Sequence, residues 1–394
     1  MGAAPLAAQA QAQAQATTPI SIGLLLPKQG VLGEVGEDSA RGAMLALDDV
    51  HGKALNRPVK LVWLDDPNPQ AAQENFSKLL DNEHVAAVVG GSGSASALAE
   101  AALATRRKTP LMIVTGGATE LTGKNCSRYT FRTFSPIQVE SRALSKPLLA
   151  QGKKWYFLIP DYATGYDTYK YMKAELVKAG GQDLGMDKVP LSATDFGSFI
   201  LKIRQAKPDV VAVGLVGDGY VSFLKQWQQY GMAGKIPVGD PSITDSMFWA
   251  LEPNALTGTY VKLWDYKDPA NPPAEQKFTA DYRAKYGIPP SSVVWSGWMS
   301  MHAVLAAIEA GKSTDSASIV HQLETLQWHD RKVTSYYRPW DHQFIHPIAI
   351  AVAHAPKADK WDVMSVSQSI PDDNSQVDAI FGTRAEVGCQ MGDL

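Results

Sequence analysis

Residues 85–119 read VAAVVGGSGSASALAEAALATRRKTPLMIVTGGAT. An apolar run, Val85–Val89, ends in Gly90-Gly91-Ser92-Gly93-Ser94; a helical stretch follows, and a second run, Leu111–Thr115, ends in Gly116-Gly117-Ala118-Thr119. Short apolar runs closed by glycine and separated by a helix predict parallel strands covered on both faces. The unit extends upstream. Ile20–Leu26 (ISIGLLL) is a buried strand turned by Pro27 and Gly30, and Ala40, Ala43, Met44, Leu47 and Val50 recur at helical spacing up to Gly52. Val59–Leu64 is a strand ending in Asp65-Asp66-Pro67, and residues 70–82 form a helix with a polar face.

Downstream the pattern repeats. Trp155–Ile159 is a strand ending in Pro160-Asp161-Tyr162, and Tyr166–Ala179 is its helix, stopped by Gly180-Gly181. Further strands are expected near 186–190, 209–215 and 236–239, with the helix Ser222–Tyr230 between the last two. Between the tandem βα units, each about 120 residues long, Tyr129–Pro136 (YTFRTFSP) reads as an extended crossover. Thr259–Tyr266 is a second extended piece, followed by helices over 273–286 and 292–310. The tail reads as strands at Val333–Arg338, Ile348–Ala353 and Trp361–Val366. Alternating strands and helices define an α/β fold.

Composition narrows the function. The 394 residues are 45% hydrophobic, and 37 Lys+Arg against 40 Asp+Glu leave a net charge of −3. That apolar content supports packed domains rather than disorder, and the charge balance excludes a generally basic nucleic-acid binder. No apolar run approaches the ~18 residues needed to span a bilayer. Ala3 to Ala16 (AAPLAAQAQAQAQA) resembles the cleavage end of a secretory signal peptide, lacking its basic and apolar parts, or a flexible linker. Cys126 and Cys389 match neither a metal cluster nor a C-x-x-C pair. In a secreted protein an even count suggests a disulfide, with two separate buried thiols as the alternative.

Ligands of open parallel sheets bind beyond the carboxyl ends of the strands. Here those ends offer Gly91–Ser94 at a helix start, suited to an anion, and Thr115–Thr119 beside it. From the second unit come Tyr162, Thr164, Asp218 and Asp240. Each also has an ordinary use: Ser, Thr and Asp cap helices, and Asp218 precedes one. Trp295 and Trp298 share a helix face and suit packing. Enzyme motifs fail individually. Ser222–Lys225 satisfies S-x-x-K without its companion motifs; Gly123-Lys124 nearly ends a phosphate loop, but Ala118 and Asn125 break it. His342 and His346 lie in a stretch that reads as extended, which would set them about 13 Å apart on one sheet face and argues against a shared metal.

In this order, IGLLLPKQGVLGEVGEDSARGAMLALDDV, LVWLDDPNPQAA, VVGGSGS, PLMIVTGGATELTG, YTFRTFSP, KKWYFLIPDYATGYD, KPDVVAVG and RPWDHQ resemble the type I periplasmic binding proteins, the leucine/isoleucine/valine-binding family of ABC importers. The resemblance covers residues 20–390 or so. It implies two Rossmann-like lobes joined by three hinge crossovers, with a ligand cleft between them. Residues 19–132 plus 267–335 would form lobe 1, and 133–266 plus 336–394 lobe 2, the tail returning towards lobe 1. By position, Gln29, Ser92, Gly93, Ser94, Thr115, Gly117 and Thr119 match segments that hold a ligand carboxylate, and Tyr162, Thr164, Asp218 and Asp240 match those meeting the rest of it. Val35 stands where the branched-chain amino-acid binders carry an aromatic, and Asp240 where they carry a Glu for the ammonium, so an amino acid is not assured. CSRYTF, DYATGYD, GDGYVSFLKQ and the terminal VGC look more like the aromatic-acid-binding branch, in which cysteines at the places of Cys126 and Cys389 also occur.

The resemblance therefore implies a periplasmic, monomeric, non-enzymatic protein without cofactor or metal, which binds a small carboxylate (an aromatic acid or an amino acid) and presents it to an ABC permease. The alternatives are a ligand-sensing receptor or regulator of the same fold, and an enzyme using Asp218 or Asp240 as a base. No nucleophile is paired with either aspartate, which counts against the enzyme.

Overall fold

The computed structural model describes residues 18–241, 243–329, 331–357 and 359–392. The alanine–glutamine tail lies outside them. The first sheet holds β1 (Ile20–Leu25), β2 (Lys53–Ala54), β3 (Arg57–Leu64), β4 (Val88–Gly90), β5 (Leu111–Ile113) and β6 (Thr130–Arg132) in the order β2-β3-β1-β4-β5-β6. All neighbours are parallel except the β2–β3 hairpin. Helices α1 (Gly33–Asp49), α2 (Pro69–Asp81) and α3 (Ser94–Arg107) connect its strands. The start of α2 is fixed locally: the Asn68 side chain accepts from the N–H groups of Gln70 and Ala71, and Pro69 supplies a preset helical φ.

Helix α4 (Ile137–Leu149) leads into the second sheet, whose strands β7 (Lys154–Pro160), β8 (Gln182–Val189), β9 (Val210–Val213), β10 (Val238–Asp240) and β11 (Thr259–Lys262) are parallel. Helices α5 (Ala163–Lys178), α6 (Gly197–Ala206), α7 (Gly217–Gln229) and α8 (Asp245–Trp249) lie between them. The chain then runs through α9 (Pro273–Tyr286), α10 (Ser292–Gly311) and α11 (Ser316–Thr325) into a small antiparallel sheet of β12 (Gln327–Trp328), β13 (Ser335–Tyr337) and β14 (Phe344–Ile345). It returns to the second sheet as β15 (Ile348–Ala353) and β16 (Met364–Ile370), giving the order β16-β15-β11-β10-β9-β7-β8 with an antiparallel edge.

Helix α10 belongs with the first sheet. A Cβ on Gly42 would lie 1.9 Å from the Val294 carbonyl oxygen, and one on Gly297 would lie 2.1 Å from that of Ser39. Only glycine at both places lets α1 and α10 approach backbone to backbone. The predicted strands are present with shifted ends. Helices α4, α6, α8 and α11 were not anticipated; α4 contains Pro147, and most of its residues are buried, so no polar stripe marks it. The expected extended run through the histidines is broken by a turn, with His342 at φ 56°. His342 stacks on Phe131 at 3.9 Å and His346 packs on Trp295 at 4.6 Å, so each is a packed core ring. Among the described residues no group of three or more His, Cys, Asp and Glu could hold a metal ion. Cys126 and Cys389 form a disulfide.

Candidate functional site

In each sheet the strand order reverses at one point, between β1 and β4 in the first and between β7 and β9 in the second. Such switch points open a crevice at the strand ends. In the first sheet, β4 ends at Gly90, and Gly91 turns the chain at φ 71°, where a Cβ would press on Ala97 and Ile113. Gly93 is the extended residue before α3, so the first N–H groups of that helix face the crevice end.

The loop after β5 is tied to this turn. Thr115 Oγ1 donates to the Ser92 carbonyl at 2.8 Å, and the Ala118 N–H donates to Ser94 Oγ at 3.2 Å, which leaves the Ser94 hydroxyl proton to point elsewhere. The Thr119 hydroxyl is buried and faces Asp167, and that of Ser92 is buried with no hydrogen-bond partner among the described residues. Buried hydroxyls normally have one. The Gly117 carbonyl accepts from the Ile137 N–H at 3.1 Å, and nothing lies within 4 Å of where its Cβ would be.

Arg132, fully buried at the end of β6, underlies this loop. Its guanidinium donates to the carbonyl oxygens of Ala118 (2.6 Å) and Gly116 (3.4 Å), to Gln343 Oε1 (2.8 Å) and to the Thr122 hydroxyl. Burial pulls its pKa down to about 9, against the pull of Asp341 and Glu140. A second buried cluster lies by the start of α3. Glu100 is held well above the usual carboxyl range by burial and by the charge of Asp66. Asp66 is pushed up to about 6 by burial, against hydrogen bonds from Ser96 and Glu100.

Across the crevice, Tyr162 is the extended residue before α5, and burial raises its hydroxyl against a hydrogen bond from Thr164. Asp240 ends β10 and is fully buried. Its charge acts on Tyr162, on Glu140 in the first turn of α4, and on Tyr220 and Tyr260, whose hydroxyls bond at 2.7 Å. Glu140 is fully buried and held well above its ordinary range by burial and then by Asp240, with Arg132 opposing. Asp167 of α5 faces Thr119 from this side; burial raises its carboxyl, and Lys170 and Thr119 oppose that.

The structure thus gathers Ser92, Gly93, Ser94, Thr115, Gly117 and Thr119 on one face and Tyr162, Thr164 and Asp240 on the other. Gln29 is exposed and donates to Asp65 at 3.3 Å. Asp218 is exposed in the first turn of α7, whose preceding residue Val216 makes no side-chain cap. Arg132, Glu140, Glu100 and Asp167 were not anticipated. The only sequence signal for Arg132 was a charge inside the apolar crossover YTFRTFSP.

A model of the periplasmic binding protein family matches residues 19–358. The chain belongs to that family. Among its relatives, the Leu/Ile/Val-binding protein homolog 6 of Brucella suis is 24% identical over 323 residues, covering 78% of this chain and 81% of the relative. A periplasmic binding protein from Burkholderia mallei superposes with a TM-score of 0.85 at 25% identity, covering 95% of this chain and 99% of that one. An ABC-transporter solute-binding protein from Rhodopseudomonas palustris, solved with 3,4-dihydroxybenzoic acid, gives 0.81 at 22% identity over 89% and 96% of the two chains. This protein is therefore a periplasmic binding protein, of a family that is extracytoplasmic and not enzymatic. Among the described residues no helix is long and apolar enough to cross a membrane.

Proposed function

We propose that this binding protein holds one small carboxylate, an aromatic acid or an amino acid, between its two lobes and delivers it to an ABC permease. Lobe 1 comprises residues 19–132 plus 267–335, and lobe 2 comprises 133–266 plus 336–394. The observation that carries the reading is the buried, unpartnered hydroxyl of Ser92 just before α3, with the Thr119 hydroxyl on the adjoining loop and the Arg132 charge behind that loop. A desolvated anion needs several converging donors. The N–H groups of α3, these hydroxyls and that of Ser94 supply them. Arg132 adds positive potential without touching the ligand, because its own donors are committed to carbonyls and side chains. The far end of the ligand meets Tyr162, Thr164 and Asp240, a face that suits a phenol or an ammonium. Contacts made to both faces only when the lobes approach would bias the hinge towards closure.

The test is a thermal-shift screen of benzoate, 4-hydroxybenzoate, phenylpropanoid acids, aliphatic amino acids and simple amides. A ligand at 100 times its dissociation constant adds about 2.7 kcal/mol of stability. Ser94→Ala and Thr119→Ala should each weaken the best acid by about 1–3 kcal/mol. Unchanged affinity in both variants would remove these loops from the site.

A further inference from the structure

Helix α10, whose body packs on α1 beside the first sheet, begins against the second half of the molecule. The N–H of its first residue, Ser292, donates to Asp245 Oδ2 at 2.9 Å, and both residues are buried. Asp245 opens α8, which follows β10 of the second sheet. Its other oxygen pairs with Lys262 of β11, and Lys262 pairs in turn with Asp265 at 2.6 Å. Asp245 is thus gripped by a cation of its own half, while its hydrogen bond goes to the other.

We propose that Asp245 is the positioning residue that latches the two lobes together, by capping the amino end of α10. The proposal rests on the hinged two-lobe reading above. The amino end of a 20-residue helix carries unsatisfied N–H groups and a positive partial charge, which favour a carboxylate. The same end already has an acceptor from its own half: Ser291 Oγ accepts from the Val294 N–H at 3.2 Å and donates to Asp38 Oδ2 of α1 at 2.9 Å. Separation of the lobes leaves the Asp38–Ser291 bond and the Asp245–Lys262 pair intact. Of these three contacts it breaks the bond from Ser292, whose N–H then faces water. The pairing with Lys262 holds the Asp245 carboxylate in place, so the acceptor is ready whenever the lobes come together.

Pulsed electron spin resonance on the full chain tests this without any added ligand. Spin labels at Gln73→Cys in α2 and Arg204→Cys in α6, both exposed, report the distance between lobes. The parent protein should show a short component corresponding to the arrangement described here. Asp245→Ala should lower the ratio of short to long component about tenfold or more, as loss of a buried bond to a charged acceptor predicts. Asp245→Asn keeps an acceptor for Ser292 without the charge and should restore part of the short component, which a role confined to folding would not do. If the alanine variant fails to fold, the asparagine variant alone should still lower the ratio severalfold. A ratio unchanged in both variants, or a parent without the short component, overturns the latch. A single fixed distance in every variant and with every acid of the screen would overturn hinge closure itself.

Discussion

Asp66 shows how a single buried carboxyl sets a pH dependence. Its folded-state pKa of about 6 stands above the ordinary aspartate value of 3.8, so the folded protein binds this proton more tightly than the unfolded chain does. The group therefore costs stability above pH 6, and the cost disappears as pH falls from 6 towards 3.8. Asp66→Asn should stabilise the protein by on the order of 1–2 kcal/mol at pH 8 and by nothing near pH 4, as read by urea unfolding at both values. An equal effect at both pH values would remove the buried charge as the cause. The residues of the gathered face were legible because glycine, serine and threonine at strand ends have a local meaning. Arg132, Glu140 and Glu100 were not, since their role comes from neighbours far away in sequence: Arg132 meets Gln343, and Glu140 faces Asp240. Asp218 is exposed in the first turn of α7, and position near a strand end does not say which way a helix turns its first residues.

At the scale of elements, strand-and-helix alternation was readable because each strand is a short apolar run closed by glycine, proline or aspartate. Helix α4, buried on nearly all sides, gave no stripe. In α4 even the first turn, with Gln138, Glu140 and Ser141, is buried, so polarity there does not mark the surface. Of the small sheet β12-β13-β14 only β13 was expected, as Val333–Arg338; β12 and β14 are two residues each and are fixed by pairing with β13 and by the Arg132–Gln343 bridge to β6. The disulfide anchors the tail across a separation of 263 residues, joining the segment before β6 to the chain end. Replacing both cysteines by serine should cost about 2–5 kcal/mol in unfolding free energy. Cys126 and Cys389 lie outside the gathered faces, so affinity for the best acid should change less than twofold. A large loss of affinity with unchanged stability would place the bridge in the binding mechanism instead.

For the whole molecule, the strand ends of the two sheets differ in chemistry. The first offers hydroxyls and helix N–H groups backed by Arg132; the second offers Tyr162, Asp240 and Glu140. Under the proposed function, that asymmetry would give a ligand one orientation, with its anion towards α3 and its donor group towards β10. Between them, contacts such as Asp245 to Ser292 set how readily the halves meet. The asymmetry also separates an anion from its neutral counterpart, since an amide offers a weaker acceptor and adds a donor where donors already converge. Titration calorimetry of the best acid from the screen, beside the amide of the same acid, therefore measures the central claim. The account predicts one acid per chain and at least about tenfold weaker binding of the amide. Equal affinity for acid and amide, or two acids per chain, would contradict it.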